Sequence, residues 1–391
     1  MVENDAVAFS QAYCQNPVCT PSRCSFMTGW YPHVRGHRTM FHMLRRDEPM
    51  LLRTLKEHGY FVWWGGKNDV VPAEDGFEPY CHVKYVPENP IRPNLHADQS
   101  WRGEPGSDDY YSFMAGRLDI PEGESVYYDS DWDIVSAAVD VIKNHADNRQ
   151  LCLYLTLQYP HPPYGVEEPW FSRIPREKLP DRIRPPEHWA GKPGILRGIY
   201  EQLGMHGWTE ERWNELRATY YGMCSRVDHQ VGLIVEALKE AGIYEDTAFF
   251  FFSDHGDFTG DYGLVEKTQN TFEDCLTRVP LVIKPPQGTH VKPGIRDALV
   301  ELIDVPATVE DMAGIRPKHT HFGKSLLPLI AGDTNEHRDA VFCEGGRLTE
   351  EEHCKELESA SEGAKSLYYP RLRLQCKDGV EHTKAVMCRT K

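Results

Sequence analysis

Cys19-Thr20-Pro21-Ser22-Arg23-Cys24-Ser25-Phe26-Met27-Thr28-Gly29 is the stretch on which the reading of this chain turns. As bare residues it is a turn running into a helix. Pro21 fixes φ, and Ser22 is placed to cap a helix beginning near Arg23. A cysteine at a helix start is favoured as an anion by the backbone dipole, and Arg23, one turn on, adds to that.

Outward from this stretch, short apolar runs alternate with helical stretches, which predicts an α/β fold. Residues 50–58 are expected as a helix closed by Gly59, and 60–64 as a strand feeding Gly65-Gly66-Lys67. Residues 131–145 space Ile134, Ala137, Ala138, Val141 and Ile142 as a helix does. A buried strand is expected over 151–157, followed by the loop Tyr159-Pro160-His161-Pro162-Pro163. A long helix is predicted over 212–241, broken near Gly222, then an unbroken apolar strand over 248–252 that ends in Ser253-Asp254-His255-Gly256. A strand over 279–283 and a helix over 299–313 complete the pattern, and residues 90–117 and 163–193, rich in Pro, Gly and charge, are expected as surface insertions. Lys67, His161, Asp254 and His255 all fall just beyond the C-terminal ends of predicted strands, where open α/β sheets build ligand sites.

The bulk numbers exclude some functions. A net charge of −16 argues against nucleic-acid binding, which needs clustered Lys and Arg, yet a few local cations can still hold an anionic substrate. Eleven scattered cysteines form neither a CxxC pair nor a small disulfide framework, which favours reduced thiols and a cytoplasmic setting. No run approaches transmembrane length.

The stretch from Cys19 to Gly29 matches the signature C-x-P-S-R-x-x-x-[LM]-T-G, and on it the chain resembles the type I, formylglycine-dependent sulfatases of the alkaline phosphatase superfamily. The resemblance extends along nearly the whole chain. Residues 9–14 are similar to the approach to that signature, Tyr220 to Asp228 to the family's long helix, Ser253 to Asp257 with Gly260 to Leu264 and Lys267 to its second metal block, and Arg278 to Ile283 to the following strand. The implied fold is an alkaline-phosphatase-like α/β/α sandwich with a large mixed sheet, residues 1–330 forming the catalytic domain and 331–391 the start of a small C-terminal subdomain.

The resemblance also implies the chemistry. A maturase oxidises Cys19 to formylglycine, whose hydrate attacks sulfur, releases the alcohol and then expels sulfate, so that the covalent step clears itself. Arg23, Lys67 and Lys267 are the expected cations of the sulfate pocket and His161 the proton donor to the leaving alcohol. Asp254, His255 and the oxygen made from Cys19 would hold one divalent metal, calcium by family habit, with magnesium open because imidazole is an unusual ligand for a hard cation. The expected substrate is a small-molecule or glycan sulfate ester. Two departures stand out. The family's histidine two positions after Lys67 is Asp69 here, taken as a replacement base. The family's opening strand with paired aspartates has no counterpart, and Asp108-Asp109 is rejected as that pair because no strand precedes it. The chain is thus expected to start after that strand and to stop inside the C-terminal subdomain. A phosphonate monoester or phosphodiester hydrolase of the same superfamily and a non-catalytic binder of sulfated ligands are the alternatives.

Overall fold

The computed structural model describes residues 1–87, 95–96, 98–346, 348, 350–351, 366–375 and 385–391. Strands β1 (Val7–Phe9) and β2 (Ala12–Tyr13) lead into helix α1 (Cys19–Thr28), and helix α2 (Leu51–Glu57) into β3 (Phe61–Gly66). After β4 (Val83–Tyr85) and β5 (Met114–Leu118), helix α3 (Ser130–Asn144) returns the chain to β6 (Leu151–Thr156) and β7 (Tyr164–Glu167). Helices α4 (Gly194–Leu203) and α5 (Glu210–Glu240) precede β8 (Phe249–Phe252). A short α6 (Asp274–Thr277), β9 (Arg278–Val279), β10 (Leu281–Lys284), β11 (Gly294–Arg296) and β12 (Val300–Glu301) follow. Helices α7 (Asp304–Met312) and α8 (Leu327–Ala331), β13 (Ala340–Gly345), the helix Tyr369–Gln375 and β14 (Ala385–Thr390) close the described chain.

The α/β class holds, with the strands divided among several sheets. One is ordered β11-β1-β10-β8 and another β4-β3-β6. In the second, β3 runs parallel to β6 in the register Phe61↔Leu151 to Gly66↔Thr156, so both strands deliver their C-terminal ends to the same side. Among the described residues neither β6 nor β8 has a second strand on its other edge, yet both feed the same two cores. Cys152, Tyr154, Phe250 and Phe252 pack against one cluster, and Leu153, Leu155 and Phe249 against another. Strand β8 is only partly buried along its whole length, and β6 up to Leu155, which corrects the expectation of a fully buried strand there. Apolar strands of this kind are buried only when neighbours cover both edges and both faces.

Other expectations change for local reasons. Helix α1 begins at Cys19, with Val18 as its N-cap, and not near Arg23. Pro21 is tolerated in the first turn because an N–H there would lack an intrahelical partner in any case. Ser22 is no cap; its hydroxyl donates to the carbonyl of Asp254 at 2.5 Å. Helix α5 passes through Gly222 unbroken, because that glycine lets the helix approach the backbone of Trp170, whose carbonyl oxygen would lie 2.7 Å from an added Cβ. Residues 299–313 are β12 followed by α7, and Pro280 separates β9 from β10. The supposed insertion at 163–193 holds a strand, β7, that is buried throughout. Tyr164, Trp170, Trp208 and Trp213 are buried in the core.

No helix among the described residues is long and apolar enough to cross a membrane. The described cysteines are unpaired thiols.

Candidate active site

Helix α1 places Cys19 at its first turn, buried, with its Sγ 3.2 Å from His255 Nε2 and 3.8 Å from Lys67 Nζ. Lys67 directly follows β3, and its backbone is clamped to β6, since Thr156 Oγ1 donates to the Lys67 carbonyl at 2.6 Å. Asp254 and His255 follow β8. Arg23, one turn along α1 from Cys19, donates from Nε to Asp254 Oδ2 at 2.8 Å and so joins the two strand ends to the helix. The sequence placed these residues at strand ends; the fold brings them to one point.

The charges are strongly coupled. Burial alone would raise the Cys19 thiol, but Lys67, Lys267 and His255 outweigh it and bring it down to about 6. Burial would lower His255, yet Asp254 and Cys19 lift it to about 9. Asp254 lies far below the usual carboxylate range because His255 and Arg23 overcome its burial. Cys19 and His255, 3.2 Å apart, thus each favour the charged form of the other.

Lys267 and His161 form the second half of the site. Lys267 Nζ donates to His161 Nε2 at 2.7 Å, while His161 Nδ1 donates to the carbonyl of Pro162 at 2.6 Å. With one ring nitrogen donating and the other accepting, this imidazole is neutral. Burial, then Lys267 and Lys67, holds it well below its ordinary range. At rest the proton of the pair sits on Lys267, which donates it toward His161. Asp69 is engaged by Lys67, Oδ2 to Nζ 2.7 Å, so it reaches position 19 through that lysine.

Several residues of the site gave no signal in the sequence. Glu266, buried and with φ of 63°, pairs with the ammonium of Lys267. Arg371 pairs with Glu266 and donates to the Lys267 carbonyl at 2.9 Å. His96 Nε2 lies 3.3 Å from His161 Nδ1. Adjacent Glu and Lys in a loop read as solvated charge, and His96 and Arg371 arrive from segments hundreds of residues apart. Asp108 and Asp109 pair with Arg212, away from the site, which agrees with their rejection as metal ligands.

Ligand atoms of Cys19, Asp254 and His255 all lie within 4.8 Å of one another. They fit a divalent ion. His255 Nδ1 donates to the Gly256 carbonyl at 2.7 Å, which turns Nε2 toward the shared point as a bound imidazole requires. With an oxygen in place of the Cys19 sulfur the set would be two oxygens and one nitrogen. Calcium takes about six to eight ligands, so solvent or substrate oxygens would complete the shell.

The sulfatase family model matches residues 1–315. The chain belongs to the sulfatase family. That family uses a formylglycine and a divalent metal. Arylsulfatase K of Xenopus laevis is 24% identical over 353 residues, covering 84% of this chain and 60% of that protein. The chain thus spans about three fifths of the length of such curated relatives. Among solved structures, a phosphonate monoester hydrolase from Silicibacter pomeroyi superposes with a TM-score of 0.69 at 23% identity, covering 88% of this chain and 73% of the other. A structure in complex with its substrate D-glucosamine-2-N,6-O-disulfate gives 0.62 at 16% identity, covering 89% and 78%. These two likenesses show the fold.

Proposed function

We propose that this sulfatase hydrolyses sulfate esters of carbohydrates or simple aryl sulfates, with formylglycine made from Cys19 by a maturase as its nucleophile. The observation that carries the reading is the setting of Cys19: a buried helix-start residue touched by His255 and Lys67, with Lys267 close enough to act on its charge.

Matured, position 19 supplies the covalent chemistry, and a divalent ion, calcium or magnesium, supplies positive charge beside it when held by Asp254 and His255. The rest falls to side chains. Lys67 and Lys267 bind the anionic oxygens of the ester from two directions. Arg23 does not reach for substrate; it fixes Asp254. The leaving oxygen departs as an alkoxide unless protonated, and the Lys267–His161 pair holds the proton for it. Asp69 keeps Lys67 oriented and serves, through that ammonium, as the acceptor when the sulfated intermediate collapses.

A tetrahedral anion cradle of this kind also suits a phosphonate monoester, as the fold likeness to such a hydrolase illustrates. The test is co-expression with a formylglycine-generating enzyme, mass spectrometry of the Cys19 peptide, and kcat/KM for matched aryl sulfate and aryl phosphonate esters. Aldehyde at position 19 with preference for the sulfate is the expected result. An unmodified thiol would remove the mechanism, and preference for the phosphonate would reassign the substrate. Binding of a sulfated sugar by matured protein without turnover would leave only a binder.

A further inference from the structure

The segment of α5 around Arg226 takes no part in the chemistry above, yet Arg226 is among the most deeply buried charges of the chain. Its side chain is fully enclosed, and its guanidinium forks between Asp129 and Glu167, with Nη1 to Glu167 Oε2 at 3.2 Å. The guanidinium lies over the ring of Tyr159, 4.0 Å from its centre. Burying such a group among carboxylates is weak as a source of stability, since well-packed apolar side chains do as well. What it does supply is geometry. A planar fork can address two carboxylates on two elements and stack on a ring, which an ammonium cannot.

From Arg226 an unbroken line of contacts leads to the proton donor. Asp129 is the N-cap of α3, and its Oδ1 accepts from the backbone of Asp131 at 3.1 Å and Trp132 at 3.2 Å. Glu167 accepts from Trp132 Nε1 at 3.1 Å. The first turn of α3 is thereby held so that the Asp131 carboxylate accepts from the backbone N–H groups of Gln158 at 2.8 Å and Tyr159 at 2.9 Å. The Tyr159 hydroxyl donates to the Gly165 carbonyl at 2.7 Å, and the N–H of His161 to the Gln158 carbonyl at 2.8 Å. His161 then meets Lys267.

We infer that Arg226 is a positioning residue for His161, holding through Asp129, Asp131 and Tyr159 the turn from which the leaving group is protonated. The role rests on the sulfate-ester reading only for its kinetic consequence. In matured full-length protein, Arg226→Lys keeps the charge and loses the fork, and Asp131→Asn weakens the grip on the turn. Each is expected to lower kcat about tenfold or more with KM little changed, as misplacement of a catalytic group does. The loss should be larger for alkyl sulfates than for an aryl sulfate with a good leaving group, and Arg226→Lys added to His161→Gln should cost little more than His161→Gln alone. Losses that multiply, or that are equal for all leaving groups, overturn the inference. The second readout needs no turnover. The imidazole 15N resonances of His161, assigned by their loss in His161→Gln, should move in both variants while other histidine resonances hold. If Arg226→Lys does not fold, Asp131→Asn decides. Unmoved His161 resonances in a folded variant overturn the positioning role. A matured enzyme inert toward sulfates and phosphonates alike would sink the functional reading, and the imidazole measurement would still decide this one.

Discussion

Cys19 is buried, which on its own makes a thiol less acidic, and the site reverses this with three cations. The balance rests on Lys67 more than on any other residue, because its ammonium is the largest of the opposing charges. In unmatured protein the thiolate of Cys19 should titrate near pH 6, and Lys67→Met should move that midpoint upward, as followed by thiolate absorbance. A midpoint that stays put would show that Lys67 does not govern the site. His255, raised to about 9, carries a proton on the nitrogen that a metal would need. Adding a divalent ion to this form at pH 7.5 should therefore release a proton. Calorimetry in two buffers of different ionisation enthalpy measures it, and buffer-independent heat would contradict the assignment. At this scale the sequence was most legible for residues next to Gly, Pro or a strand end, such as Lys67 and Asp254. It was blind to Glu266 and His96, whose meaning comes only from what lies across the pocket.

Among the elements, glycine decides two close approaches. Gly256 follows His255, and a Cβ there would sit 1.9 Å from the carbonyl oxygen of Cys275, backbone that cannot step aside. Gly256→Ala should displace the loop carrying Asp254 and His255 and abolish turnover, with a stability loss of about 1–3 kcal/mol from overpacking. Denaturant unfolding and activity together check this, and a fully active, fully stable variant would refute it. Gly222 is instructive in the other direction. Helix propensity alone favours alanine there by about 1 kcal/mol. The Trp170 carbonyl, 2.7 Å from the added Cβ, opposes it, and the clash should win, so Gly222→Ala is expected to lower Tm. A sequence pattern shows a glycine inside a helix and suggests a break. Only the neighbour across the interface shows that the glycine is there for contact.

At the scale of the whole molecule, the two-stranded β13–β14 ladder is fastened to the rest by buried charge. Arg338 bonds Asp304 Oδ2 from Nε at 3.0 Å and meets Glu301 at 3.1 Å, while Tyr31 donates to Glu301 at 2.7 Å. Burial raises Glu301 to about 7 despite Arg338. The folded state therefore binds this proton more tightly than the unfolded chain, whose carboxyl titrates near its ordinary 4.5. As pH rises between those values the unfolded chain releases the proton first, so Glu301 takes stability away up to about pH 7 and changes nothing beyond. Asp304, depressed by His337 and Arg338 in spite of its burial, acts oppositely, losing its contribution on acidification. Glu301→Gln should remove the slope between pH 4.5 and 7, measured as the difference in Tm from the parent across that range; parallel profiles would disprove it. The sequence by itself determined the α/β class and the family signature, because helix and strand periodicity and a contiguous motif are local properties of the chain. The tertiary structure alone decided that His161 rests neutral against Lys267, that Asp69 serves Lys67 and that Arg226 is linked to the turn carrying His161. Each depends on which groups face one another across the fold, and spacing along the chain does not encode that.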